Sequence, residues 1–345
     1  MMKSRKMRIL FRTYGGKIKN KQTGLGHIYR CINLGHELKK HVQVYFLVED
    51  YGGSKKIIHD NNFVKVSTLS KHISEDLDIQ KTLEFVKKNK IDLVVVDKHK
   101  ITKRYVKKIK NYTKIVVITD LNETSLPAHI LINGYIGLKN QKFKNLQNTL
   151  CLLGPKYQIL NQKFSTIPVQ QHKKYDILVT FGALDEKCLV DVFLNSLSHF
   201  SNMLKIKIIL GPIASQSKLV TNFSKKFPKN ITYVKETKNM KKEIIQSKFG
   251  FTAGGITSYE FASMKIPFAI ICDSKHQLPT AIEWEKKNLG FNLGFIDKHT
   301  SSKISTLLGL LLAKNFLKTT KNNYLVDGHG ILRISKEVLK LLKSN

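Results

Sequence analysis

The sequence predicts an α/β protein built as two doubly wound domains, and three observations carry that expectation. Short apolar, β-branched runs alternate with helical patterns from one end of the chain to the other, as buried parallel strands and their crossover helices do. The chain has 345 residues, enough for two domains of about 150 each. Between Tyr157 and Tyr175 the periodicity lapses into Gln-, Lys- and Pro-bearing sequence, and then a second series of the same kind begins.

In the first half the expected strands are Met7 to Thr13, Val42 to Glu49, Asp92 to Asp97, Lys114 to Thr119, Ile130 to Asn133 and Thr149 to Leu153. The segment from His27 to Lys40 sets Ile28, Cys31, Leu34, Gly35 and Leu38 on one helical face, a stripe that buries against a sheet. In the second half the expected strands are Asp176 to Phe181, Lys205 to Leu210, Ile231 to Val234, Phe249 to Thr252, Phe268 to Cys272 and Phe291 to Ile296. A closing pattern, Ile331 to Leu342, spaces Ile331, Ile334, Val338 and Leu341 as a packed helix. The expected domains are 1–165 and 175–345, the second with the terminal helix, joined by a linker over 166–174. Two such halves are expected to enclose a cleft, where ligands sit outside the carboxyl ends of the strands.

Charge narrows the partners. There are 59 Lys and Arg against 25 Asp and Glu, a formal net charge of +34. Only Arg5, Arg8, Arg12, Arg30, Arg104 and Arg333 are arginines; the other basic residues are lysines spread along nearly every segment. Arginine is the residue suited to bidentate phosphate and base contacts, so this coat argues against nucleic acid as a partner. Its remaining uses are attraction of anionic small substrates and peripheral contact with an anionic membrane surface. Nothing in the pattern sets an oligomeric state. Cys31, Cys151, Cys188 and Cys272 are widely spaced, with no C-x-x-C pair, which fits a reducing compartment. The run Ile9-Leu10-Phe11 is too short for a signal-peptide core, and Leu307 to Ala313 is far below a membrane span. A cytoplasmic protein is expected.

Three glycine-bearing loops fall at the same topological position, after a strand and before a helix. The first is Gly24-Leu25-Gly26-His27, where the chain can turn tightly beside a ligand and the helix start favours negative charge. Position 29 is Tyr29 rather than a third glycine, so the dinucleotide fingerprint is unmet and NAD is not expected. His27 reads either as a hydrogen-bonded histidine at a helix start or as a general base taking a proton from water or a hydroxyl. The second loop is Ala253-Gly254-Gly255-Ile256-Thr257-Ser258-Tyr259-Glu260. Its backbone N–H groups and the Thr257 and Ser258 hydroxyls can hold phosphate oxygens, and Glu260 can accept hydrogen bonds from a ribose. The plainer reading is a capped glycine turn with Glu260 compensating the helix dipole. The third loop is Phe181-Gly182-Ala183-Leu184-Asp185.

The order and spacing of several motifs resemble the UDP-sugar hydrolase family of pseudaminic acid biosynthesis. They are Gly24-x-Gly26-His27-x-x-Arg30-Cys31, Leu153-Gly154-Pro155-Lys156-Tyr157 with Phe164, Thr180-Phe181-Gly182, Ala253-Gly254-Gly255 with Glu260, and Pro267. That family stands with the two-domain glycosyltransferases of GT-B fold, near the transferase that makes lipid-linked peptidoglycan precursor. The resemblance covers nearly the whole chain and implies a GT-B-like α/β fold, two Rossmann-type domains facing an interdomain cleft. It implies hydrolysis of UDP-2,4-diacetamido-2,4,6-trideoxy-β-L-altropyranose to free sugar and UDP, with inversion at the anomeric carbon. No cofactor or metal is expected. His27 matches the family's catalytic base, and Gly254, Gly255 and Glu260 match its UDP-binding positions. With Thr257, further substrate contacts are expected from Gly24, Gly26, Arg30, Asp97, Tyr157, Gly182, His276 and Gln277. The chain departs from the pattern at Asp97-Lys98-His99, where the family has Asp-His-Tyr, at Thr119-Asp120 for Asp-Asp, and at His276-Gln277 for Asn-Gln. Two alternatives stay open: an inverting UDP-sugar glycosyltransferase, and a non-catalytic basic protein that binds nucleotide sugars or polyanions.

Overall fold

Buried β-branched runs such as Leu93-Val94-Val95-Val96, flanked by helical segments, can only satisfy their backbone in a sheet covered on both faces. The structure, a computed structural model, describes residues 5–16, 25–120, 125–138, 148–166, 172–185, 187–197, 200–315 and 325–344. The chain divides into two compact units, Met1–Gln162 with His329–Asn345, and Lys163–Gly328.

Among the described residues of the first unit the strands are β1 (Arg8–Gly15), β2 (Gln43–Asp50), β3 (Val66–Leu69), β4 (Leu93–Asp97), β5 (Lys114–Ile118), β6 (Ile130–Asn133) and β7 (Leu150–Leu153). They lie in the order β3-β2-β1-β4-β5-β6-β7, all parallel. The order reverses between β1 and β4, so the crevice at their carboxyl ends is the switch point where such sheets bind ligands. Register pairs Thr13 with Asp97 at that end. The helix Gly26–Leu38 follows β1 and buries Ile28, Cys31, Leu34, Gly35 and Leu38 as its periodicity predicts, together with Arg30, Ile32 and Glu37.

The second unit has β8 (Tyr175–Thr180), β9 (Ile206–Ile209), β10 (Ile231–Val234), β11 (Ser247–Thr252), β12 (Phe268–Cys272) and β13 (Phe291–Phe295). They run in parallel in the order β10-β9-β8-β11-β12-β13, with the reversal between β8 and β11. Phe193, Phe249 and Phe251 pack with Ile177, Val179 and Leu308 in its core, each such side chain contributing about 1.5–3 kcal/mol by leaving water.

Each of the twelve expected strands is present, within a few residues at either end. β3, which is not among the expected strands, is a four-residue edge strand whose middle residues Ser67 and Thr68 are exposed and carry no apolar signal. The terminal helix, expected in the second domain, lies instead in the first. The helix Gly330–Lys343 belongs to the first unit, where Ile331, Ile334, Val338 and Leu342 are buried and Lys114 Nζ donates to the Leu341 carbonyl at 2.9 Å. The Lys114 ammonium satisfies carbonyls that the helix end leaves open. The helix starts so close to the chain after β7 that a Cβ on Gly330 would lie 2.2 Å from the Gln158 carbonyl oxygen. The division between units therefore falls at 162/163 and again at 328/329, rather than once over 166–174.

Candidate functional site

In the first unit the switch point holds a compact polar cluster. Asp97 ends β4 and is wholly buried. Its Oδ1 lies 2.6 Å from His27 Nδ1 and accepts from Arg30 Nη2 at 2.6 Å. Its Oδ2 accepts from Arg30 Nε at 2.7 Å and lies 3.7 Å from Cys31 Sγ. The arginine fork thus grips the carboxylate with two parallel bonds, the strongest neutralising geometry available. Arg30 then reaches on through Nη1 to Asp120 Oδ1 at 2.6 Å, beyond the end of β5. His27 and Arg30 are three residues apart on one helix, so both point to the same side. Burial alone would raise the Asp97 carboxyl; Arg30 and His27 overcome it and hold it far below the ordinary carboxylate range.

That charge assigns the tautomer. A contact of 2.6 Å between Nδ1 and an ionised carboxylate requires the proton on Nδ1. Nε2 then carries the lone pair. The cluster has two carboxylates against one guanidinium, so a proton taken up at Nε2 would balance its charge. The Tyr14 ring packs 4.7 Å from the imidazole.

Gly26 opens the helix and is exposed; Gly24 lies outside the described residues. Arg30 and Asp97, both expected as substrate contacts, are 7% and 0% exposed, and Asp97 and Asp120 take up the Arg30 guanidinium. Tyr157 sits in the short helix Pro155–Tyr157 after β7, three strands from β4, so the structure does not bring it into the Asp97 cluster.

In the second unit, the loops after β8, β11 and β12 carry the predicted residues. Gly182 follows β8 with φ of +88°, a conformation that favours glycine. Asp185 caps the next helix, accepting from the Leu189 and Val190 backbones at 2.7 and 3.1 Å. Burial pushes its carboxyl up to about 6 against those donors, with Asp191 and Asp273 adding to the rise. After β11 the helix Ile256–Ser263 begins at Gly255 with no side-chain cap, so its first backbone N–H groups lack the usual side-chain partner. Gly254 passes hard against Gln277, whose Oε1 lies 3.3 Å from the backbone nitrogens of both Gly254 and Asp273. That oxygen is therefore committed to joining two loops. His276 is exposed beside it, and Thr257 sits partly exposed in the first helical turn. Ser258 is not a phosphate ligand: it is fully buried, donates to the Gly255 carbonyl at 2.7 Å and accepts from Trp284 Nε1 at 3.1 Å. Burial pushes the Glu260 carboxyl up to about 7, and among the described residues no donor meets it.

Tyr14 and Asp120 are not among the site residues expected from the sequence. Tyr14 lies one residue beyond the expected end of the first strand, in a stretch of β1 that stays buried to Gly15. Asp120 offers no local signal, because its partner Arg30 is 90 residues away.

No family model matches the chain. It is a distant homologue of three proteins. An uncharacterised protein of Methanocaldococcus jannaschii is 25% identical over 340 residues, 94% of this chain and 63% of that protein's length. The spore coat polysaccharide biosynthesis protein SpsG of Bacillus subtilis is 24% identical over 91% of this chain and 94% of its own. The UDP-2,4-diacetamido-2,4,6-trideoxy-β-L-altropyranose hydrolase of Campylobacter jejuni is 26% identical over 81% of this chain and 97% of its own. Among solved structures, MurG of Acinetobacter baumannii superposes with a TM-score of 0.69 at 13% identity, covering 97% of this chain and 99% of its own. The UDP-GlcNAc 2-epimerase of Neisseria meningitidis, solved with UDP-GlcNAc, gives 0.61 at 12% identity over 97% and 100%. These likenesses show an α/β fold of GT-B type. Among the described residues no helix is long and apolar enough to cross a membrane.

Proposed function

We propose that this chain is an enzyme acting on a UDP-sugar in polysaccharide or nonulosonic acid biosynthesis. Its reaction is hydrolysis of a UDP-linked diacetamido-trideoxyhexose. The observation that carries the reading is the His27–Asp97–Arg30 cluster at a ligand-binding switch point, with Nε2 of His27 left as the basic nitrogen. His27 Nε2 takes a proton from water as the water oxygen bonds to the anomeric carbon. The bond from that carbon to the UDP oxygen breaks, and UDP leaves with the electron pair. One displacement inverts the configuration, and the step needs no cofactor. Asp97 holds the ring and offsets the imidazolium. In the second unit, the turn Gly254-Gly255 and the helix start behind it receive the diphosphate, with Gly182 and Thr257 alongside, and the Glu260 carboxylate accepts from the ribose hydroxyls. The relative from C. jejuni supports the substrate class.

The fold shared with MurG favours a second reading, in which the same base deprotonates an acceptor hydroxyl and the product is a glycoside. A panel of UDP-sugars incubated with the protein separates the two. Release of UDP without acceptor, with the free sugar appearing first as the opposite anomer by NMR, is the expected result. Release only with an acceptor selects transfer. His27→Ala should abolish either reaction while UDP still binds, and turnover at the wild-type rate in that variant would sink both.

A further inference from the structure

Histidine's second side-chain torsion is broad and two-fold, so an imidazole needs packing as well as a hydrogen bond to keep one face of the ring towards its partner. In this chain that packing comes from the strand before it. Tyr14, near the end of β1 and only 7% exposed, lays its ring 4.7 Å from that of His27, tilted by 43°. Tyr14 is itself wedged. Tyr51 meets it edge-on at 6.4 Å, and His99 lies nearly parallel at 6.5 Å.

Behind Tyr51 stands a second polar network. Its hydroxyl donates to Glu49 Oε1 at 2.8 Å, and Glu49 Oε2 accepts from Arg12 at 3.2 Å. Fully buried Arg12 is gripped by Asp78 at 2.7 and 2.9 Å, and Lys98, between Asp97 and His99, also bonds Asp78 at 2.5 Å. A continuous set of contacts therefore runs from a buried ion pair through Tyr51 to the ring that backs His27. Burial, with the charges of Asp97 and Asp120, raises the Tyr14 phenol well above its ordinary range, so it adds no charge beside the imidazole.

We infer that Tyr14 is a positioning residue that holds the His27 ring with Nδ1 on Asp97 and Nε2 turned away from it. Asp97 decides which nitrogen carries the proton, and Tyr14 decides which way the ring lies. The inference rests on the reading of His27 as the base, and its test has an arm independent of that reading.

The full chain labelled with 15N-histidine reports the His27 tautomer by NMR, assigned against His27→Gln. Wild type and Tyr14→Phe should show His27 protonated at Nδ1 alone. Tyr14→Leu should show a mixture of tautomers and lose about tenfold or more in kcat for UDP release, with KM within about twofold. The inference is overturned if Tyr14→Leu keeps the wild-type tautomer, or if the isosteric Phe variant loses as much as Leu. Should wild type release no UDP from any sugar, the hydrolase reading fails while the tautomer still decides the role of Tyr14.

Discussion

Arg30 and Asp120, ninety residues apart in sequence, meet at 2.6 Å, and the same guanidinium grips Asp97 on its other side. One arginine thus bridges a wholly buried carboxylate and an exposed one. The geometry makes Arg30 a support for Asp97 and, through it, for His27.

Arg30→Met should lower stability by about 3–5 kcal/mol, because Asp97 would remain buried without its strongest partner. In the sugar assay kcat should fall while KM holds. A thermal melt with steady-state kinetics checks both, and a raised KM with unchanged kcat would return Arg30 to the substrate.

Asp97→Asn keeps the shape but removes the charge that fixes the Nδ1 proton. Turnover should drop by about a thousandfold or more, by analogy with the same change in a catalytic triad, while UDP affinity measured by calorimetry stays the same. Acid should act in the same direction. Asp97 and Asp78 both have carboxyls held below the ordinary value of 3.8, so the stability they contribute is present above that value and is lost as pH falls below it. Denaturation of the first unit should steepen in that window.

Glu260 has the opposite sign. Its carboxyl is raised from 4.5 to about 7, so the unfolded chain ionises first and stability declines as pH rises between those values, at no more than about 1.4 kcal/mol per pH unit. Glu260→Gln should flatten that decline. If the ionised form accepts from a ribose, UDP affinity should climb as pH passes about 7 in wild type and stay level in the variant. Equal pH profiles for the two proteins would remove Glu260 from the nucleotide site.

The two adjacent glycines after β11 should behave differently. A Cβ on Gly254 would sit 2.8 Å from Gln277 Cβ and 2.9 Å from its carbonyl oxygen, whereas one on Gly255 meets nothing within 4 Å. Gly254→Ala should open the turn and lower the melting temperature. Gly255→Ala should fold normally yet weaken UDP binding, since the methyl would occupy space left for the ligand. Unchanged UDP affinity in the Gly255 variant would locate the diphosphate elsewhere.

The fold was largely legible in the sequence because buried parallel strands announce themselves locally. Runs such as Leu93-Val94-Val95-Val96 need no partner to be recognised: β4, β5 and β12 are dominated by unbroken apolar segments. β3 was invisible for the converse reason, its Ser67 and Thr68 being polar at a sheet edge. Of the site, His27 and the glycine turns were readable from their place between strand and helix. The role of Arg30 was not, since the residues that claim it are 67 and 90 positions away, and a buried ion bridge has no local pattern. Ser258 shows the same limit, its hydroxyl being occupied by Trp284, 26 residues further on.

The return of the helix Gly330–Lys343 to the first unit has a consequence for synthesis. Residues 163–328 are complete, with every strand of their sheet translated, while the first unit still lacks the helix that covers Lys114 and packs beside Gly26–Leu38. The part of the chain made first is therefore finished last. A chain truncated after residue 328 should contain a protease-resistant second unit and a first unit still open to cleavage, and a single cut between 162 and 175 in the finished protein leaves the second unit covalently joined, through 328 and 329, to the terminal helix of the first, with the rest of the first unit held to that helix by noncovalent contacts alone.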